Sequence, residues 1–315
     1  MPALHILSPG FLTTIQDAGR FGFATLGVSP AGAADMIALR LGNRLVDNEE
    51  NTGALEMTLV GGTFAFECDN LIALTGADCE PALDDASVPM WASMFVRAGQ
   101  TLQCRATKNG ARSYLCVHGG FKIPPVMNSV ATHLQSGIGG KEGRALKKGE
   151  ALEIASATVP QNAVARRINP EALRYLREKN TLRVTRGPQA DFFSSETLQT
   201  FYSKPYRVTE SSNRVGLRLQ GEPLTRNTSA EMITEGVSLG AIQVPGDGQP
   251  IILFVEHPTT GGYPKIANVI SADLPRVGQL RPREEVYFAW VRFEEAVKLY
   301  RKQEEFLKSA ALYQN

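Results

Sequence analysis

The chain has 315 residues, 43% hydrophobic and 21% charged, the profile of an ordinary globular protein rather than a disordered or fibrous one. Its 33 basic and 32 acidic side chains leave a formal charge of +1. That near-balance excludes the one-signed field that draws in nucleic acid or an anionic membrane surface. The longest apolar run, Ile251–Val255, falls far short of the ~20 residues of a membrane helix.

Residues 1–11 show no basic region ahead of an apolar stretch, so a cytoplasmic protein is expected. Cys68, Cys79, Cys104 and Cys116 form no CxxC pair and are expected as buried thiols. The four histidines, His5, His118, His133 and His257, are scattered and form no metal-binding motif.

Gly and Pro, with 29 and 18 copies, separate short apolar runs, which predicts a mainly β protein with a few helices. Ile37, Leu41 and Leu45 recur at helical spacing and predict a helix over Ala33–Val46, with Ser29-Pro30 as its upstream signal. Strands are expected at Thr63–Glu67, Leu71–Thr75, Thr101–Ala106 and Arg112–Val117. The last two flank Asn109-Gly110 and read as a hairpin. A polar stretch over Ser156–Pro170 reads as a linker and Glu171–Lys179 as a short helix. Later strands are expected at Thr181–Thr185, Ala241–Val244, Ile251–Val255, Ile266–Ile270 and Val286–Val291, with a tight turn at Pro245–Pro250. A final helix spans about Arg292 to Leu312, with Phe293, Val297 and Tyr300 as its apolar face, docked on its own domain or offered to a partner. Glu294/Lys298 and Glu304/Lys308 are i,i+4 pairs on its other side. The expected organisation is a β-rich domain over 1–157, a linker and short helix over 158–180, a second β domain over 181–291, and the helical tail over 292–315.

Two motifs invite false readings. Gly236-Val237-Ser238-Leu239-Gly240 spells GxSxG, Asp247 and His257 follow, and His118-Gly119-Gly120 looks like an oxyanion loop. A nucleophile elbow needs a strand before its serine and a helix after it, whereas strand-like AIQV follows here. The three candidates also fall within about 20 residues, too few for α/β crossovers. The glycine-rich run Gly137–Arg144 is no P-loop. It reads as a surface loop or as an anion nest aided by Lys141 or Arg144.

Three ordered blocks carry a resemblance. The first is TTIQDAGR, GVSPAGAADMIALRLGNRLV and ALEMT. The second is ALTGAD, RSYLCVHGGFKIPPVMNS and GIGGKEGR. The third is SSNRVGLRLQG, EGVSLGAIQVPGDGQPIILF and HPTTGGYPKIANVISADL. From Ile6 to Val291 the chain resembles the KipA-like family. That family includes the second carboxyltransferase half of urea carboxylase, often labelled allophanate hydrolase subunit 2, and the C-type subunits of prokaryotic 5-oxoprolinase. The stand-alone length and the charged tail helix look most like the 5-oxoprolinase branch. The resemblance implies two cyclophilin-like β-barrel units. It also implies two partners, a KipI-like B-type subunit plus an A-type one, with which 5-oxo-L-proline is opened to L-glutamate at the expense of ATP. Two other readings stand beside it: a KipA-type regulator binding a KipI-like kinase inhibitor, and a carboxyltransferase acting on urea or a related amide.

Opening a lactam needs carbonyl activation, stabilised oxygen charge and proton transfer at nitrogen. Glu235, Glu256, Tyr263 and Lys265 are the candidate catalytic residues. Glu256 stands where relatives often carry Asp, so an acid–base role there is the least secure. Arg214, Arg218, Gln243, Thr259, Thr260, Gly261 and Gly262 are the candidate substrate-binding residues. The two arginines, four apart, share a face in either helix or strand. They read equally as ion-pair partners. Gln16, Asp17 and Arg20 read as a structural turn. No biotin attachment segment and no nucleotide-binding motif is present, so ATP is expected at the assembled complex rather than on this chain.

Overall fold

A computed structural model of the chain describes residues 2–156, 165–177, 181–227 and 232–314. It is mainly β, with five α-helices among the described residues. The chain forms two compact units. One comprises residues 1–20, 31–170 and 313–315, the other 21–30 and 171–312. One boundary between the units falls at residue 170. Residues 21–30 and 313–315 depart from a simple two-part division. Most of the expected linker, residues 157–164, lies outside the described residues, and the short helix runs over Pro170–Arg177.

The first unit holds a six-stranded and a seven-stranded sheet. Leu4, Ile6, Phe64, Phe66 and Leu102 from the former meet Ile15, Leu55, Ile72, Leu74 and Leu115 from the latter in one buried core. The expected strands appear at Thr63–Phe66, Asn70–Gly76, Thr101–Gln103 and Arg112–Val117. Asn70–Gly76 and Arg112–Val117 are buried at every position, because the helix Met36–Leu45 covers the face turned away from the core. That helix starts later than Ser29-Pro30 suggested. Asp35 caps it, its Oδ1 accepting from Ala38 N at 3.0 Å.

The expected hairpin around Asn109-Gly110 does not form. Thr101–Gln103 pairs with Thr63–Phe66 in one sheet, whereas Arg112–Val117 pairs with Ala54–Thr58 and Asn70–Gly76 in the other. A type I′ turn needs positive φ at both central residues, and only Gly110 has it, at 83°. The Asn-Gly pair therefore turns the chain from one sheet to the other.

Asp17 and Arg20 tie their turn to the segment 126–131. Asp17 accepts from Ser129 Oγ and Val130 N, both at 2.7 Å, and Arg20 donates to the Ala131 carbonyl. The basic groups of the glycine-rich run are engaged locally. Arg144 bonds Glu142 and Glu150, each at 2.6 Å, and Lys141 donates to Ala151 O at 3.1 Å. Cys79, Cys104 and Cys116 are buried and Cys68 half-buried, all as free thiols. No helix among the described residues is long and apolar enough to cross a membrane.

The second unit is a closed seven-stranded barrel. Its order is Thr181–Arg186, Lys265–Val269, Ala241–Gln243, Ile251–Leu253, Gly216–Gln220, Tyr206–Val208 and Glu285–Trp290. The last strand returns to the first in parallel. Closure leaves no open edge. Alternation along Glu285–Trp290 turns Val286 and Phe288 inward. Phe288 stacks on Phe201 of the helix Ser195–Ser203, with centroids 4.6 Å apart.

The tail helix spans Phe293–Leu307 and docks within this unit, but not by the expected face. Phe293 and Tyr300 are exposed, while Gln303 and Leu307 are buried. Gln303 Nε2 donates to Ala272 O at 3.0 Å. The helix is thus rotated so that a polar side chain satisfies a turn carbonyl.

Candidate active site

In the barrel unit the short strand Glu235–Gly236 pairs with Thr260–Gly261, placing Glu235 opposite Gly261 and Gly236 opposite Thr260. Val237 N donates to Thr259 O at 3.1 Å and extends this ribbon. On the barrel wall Gln243 lies opposite Lys265, where a register shift interrupts the ladder. These elements border a cavity of about 460 Å³ lined by Glu235, Val237, Ser238, Ala241, Lys265 and Asn268, among others.

The Lys265 side chain is only 5% exposed. A buried ammonium requires compensation. It receives one carboxylate contact, Glu235 Oε1 at 2.6 Å, and no other polar contact among the described residues. An ammonium carries three donors, so the site can bind acceptors that the protein does not supply. Gln243 Nε2 is likewise buried and without an acceptor among the described residues. It sits directly behind Gly261, where a Cβ would come within 2.5 Å of it.

Glu235 is half-open to solvent and its Oε1 also accepts from Gln189 Nε2 at 2.8 Å. The Lys265 ammonium, followed by the Gln189 hydrogen bond, holds its carboxyl below the ordinary glutamate range. As a candidate catalytic residue, Glu235 would serve as a base only if it were desolvated. It is not desolvated, and a lowered pKa makes it a weaker base. Its chemistry is that of an ionised acceptor, suited to gripping an N–H donor and to anchoring Lys265.

The other expected residues fall into separate places. Thr259, Thr260 and Gly261 supply the ribbon backbone beside Glu235. Gly262 and Tyr263 are exposed on the turn beyond it. Glu256 does not stand free. It forms a buried ion pair with Arg214 Nε at 2.5 Å, and Glu256 N donates to Arg214 O at 2.8 Å. Arg218 is exposed on strand Gly216–Gln220. The two arginines share no face because Arg214 precedes the strand. The Asn213 side chain caps a turn there, accepting from Val215 N at 2.8 Å.

Gln189, Ser238 and Asn268 were not singled out as parts of this site. Gln189 follows a Gly-Pro pair at a strand end, which signals a turn and nothing about a side-chain bridge. Ser238 Oγ donates to Asn268 Oδ1 at 2.8 Å. The hydrolase triad is absent. Asp247 Oδ1 accepts from Gln249 N in a turn, and the His257 ring lies 2.7 Å from Pro258 O. Burial also lowers the His257 pKa. No cluster of metal-ligating side chains occurs among the described residues.

Gly261→Ala is expected to keep the barrel closed while pushing the Gln243 amide out of place. A cavity-directed ligand should then bind the variant several-fold more weakly, as titration calorimetry would read. Unchanged binding would remove Gln243 from the site.

Residues 26–290 match the family model described as carboxyltransferase domain, subdomain A and B, and the chain belongs to that family. It is 41% identical over 308 residues to the 5-oxoprolinase C subunit of Escherichia coli, covering 98% of this chain and 97% of that protein. The protein of the same name from Haemophilus influenzae is 40% identical over 304 residues, covering 96% of each. Among solved structures, the urea carboxylase of Kluyveromyces lactis superposes with a TM-score of 0.91 at 30% identity over 99% of this chain. The present chain spans 30% of that longer one.

Proposed function

We propose that this chain is the C-type subunit of an ATP-dependent 5-oxoprolinase, which opens 5-oxo-L-proline to L-glutamate together with an A-type partner and a KipI-like B-type partner. The observation that carries the chemistry is Lys265, buried, paired through a single contact, and facing a cavity that Glu235 also lines. Spare ammonium donors can bond carbonyl or carboxylate oxygens, and the ionised Glu235 accepts from an amide N–H. A small acidic lactam carries all of these groups. Full-length similarity to two proteins named for that activity favours it over urea, whose carboxylase relative is more than three times as long.

In this reading Lys265 stabilises oxygen charge as the carbonyl becomes tetrahedral. Glu235 holds the ring nitrogen in register. ATP acts in the assembled complex, on residues of the partners, and the complex works in the cytoplasm.

Co-expression with candidate A-type and B-type partners tests the reading. Glutamate release from 5-oxoproline that needs ATP and all three chains is the expected result. Turnover of urea with a biotinylated carrier, and none of 5-oxoproline, would overturn it. So would stable binding of a kinase inhibitor with no turnover at all.

A further inference from the structure

The Gln189 side chain joins two parts of the site that the chain brings together from far apart. Its Oε1 accepts from Lys265 N at 3.1 Å and its Nε2 donates to Glu235 Oε1 at 2.8 Å. Its own backbone N donates to Lys265 O at 3.2 Å, so the residue is fastened to the lysine's strand from both main chain and side chain. Lys265 Nζ meets the same Glu235 oxygen at 2.6 Å. Oε1 therefore carries the Gln189 hydrogen bond and the Lys265 ion pair, while Oε2 has no protein hydrogen bond among the described residues. Lys265 is the one charged group against Glu235 there. Arg186 and Asp191, which flank Gln189, pair with each other.

We propose that Gln189 is a positioning residue: it fixes the Glu235 carboxylate in one orientation, leaving Oε2 to accept the N–H of a small amide in the cavity. An exposed glutamate is otherwise free to swing, and the ion pair alone does not choose which oxygen is spent. A glutamine bridging two fixed points removes that freedom and makes the site prefer ligands with an N–H donor over esters or lactones of the same shape. The ligand class rests on the function proposed above. The positioning role does not.

Gln189→Met, close in volume but without donor or acceptor, tests it. In the full chain with ¹³C-labelled glutamate carboxyls, Glu235 is identified by its loss in Glu235→Gln and titrated by NMR. Its midpoint is expected below the ordinary glutamate value in the native chain and raised in Gln189→Met, with the ring-current shifts of the Phe201–Phe288 stack unchanged. A folded Gln189→Met with an unmoved midpoint overturns the role. Should that variant not fold, Gln189→Ala, which removes the same donor and adds no charge, must raise the midpoint. In the reconstituted three-chain enzyme, Gln189→Met is expected to raise KM for 5-oxoproline about tenfold, with kcat changed much less. Equal KM in an active enzyme overturns the role. A native enzyme that ignores 5-oxoproline overturns only the ligand, and the carboxyl titration still decides the positioning.

Discussion

Lys265→Met is expected to lower turnover of the assembled enzyme by about two to three orders of magnitude while leaving the chain as stable as before. The two halves of that expectation have separate causes. Turnover falls because the ammonium is the group in the cavity able to stabilise developing oxygen charge, and methionine offers none. Stability holds because the partner left behind, Glu235, is 46% exposed and stays hydrated when its lysine is removed. Methionine fills nearly the same volume and bears no desolvation cost. The native Glu235 pKa is lowered, so its pairing stabilises the fold above the unfolded-state pKa and is lost as pH falls through the folded-state value. Lys265→Met should lose the lysine's share of that acid-side dependence and keep the share that comes from the Gln189 hydrogen bond. Initial-rate measurements beside urea denaturation at neutral pH check the main expectation. A stable variant with native turnover removes Lys265 from the chemistry, and an unfolded one shows that its charge is structural.

Arg214→Ala behaves in the opposite way. The side chains of Arg214 and Glu256 are 4% and 1% exposed, so removing the arginine takes the ion-pair cation away from a buried carboxylate. Breaking such a pair from one side costs about 3–5 kcal/mol, much of a domain's whole stability. The variant should unfold at clearly lower urea, or fail to accumulate. Any loss of activity would follow from that. The double variant Arg214→Met/Glu256→Leu removes both charges and is expected to recover most of the stability. If Arg214→Ala keeps native stability yet abolishes turnover, the arginine serves the substrate after all. In the sequence both cations stand as candidate site residues with nothing to tell their costs of removal apart. Exposure of the partner is what separates them, and a sequence does not record it.

The tail helix shows the same limit. Its existence was plain from Phe293, Val297 and Tyr300 at helical spacing, but the buried side is the one bearing Gln303 and Leu307. The Ala272 carbonyl, some thirty residues upstream, accepts a hydrogen bond from Gln303 on that buried side. In the first half, Asn109-Gly110 promised a local hairpin, and the flanking strands found partners in two different sheets instead. Local turn preference is worth little against burial of a whole strand on both faces.

By itself the sequence determined the class of the fold and most of the strands. Short apolar runs cut by Gly and Pro can bury themselves only by lateral pairing, and period-2 alternation is written residue by residue. Glu235, Gln243, Lys265 and the Thr-Gly ribbon are expected in a site chiefly through the family resemblance, with residue types that suit amide chemistry. The tertiary structure alone decided which of these stand together. The fold of the second unit brings Gln189, Glu235 and Lys265 within hydrogen-bond reach across separations of 46 and 76 residues. It also withdraws Arg214 and Glu256 into a pair of their own. Charge, burial and orientation depend on what lies within a few ångströms, and only the folded chain sets those distances.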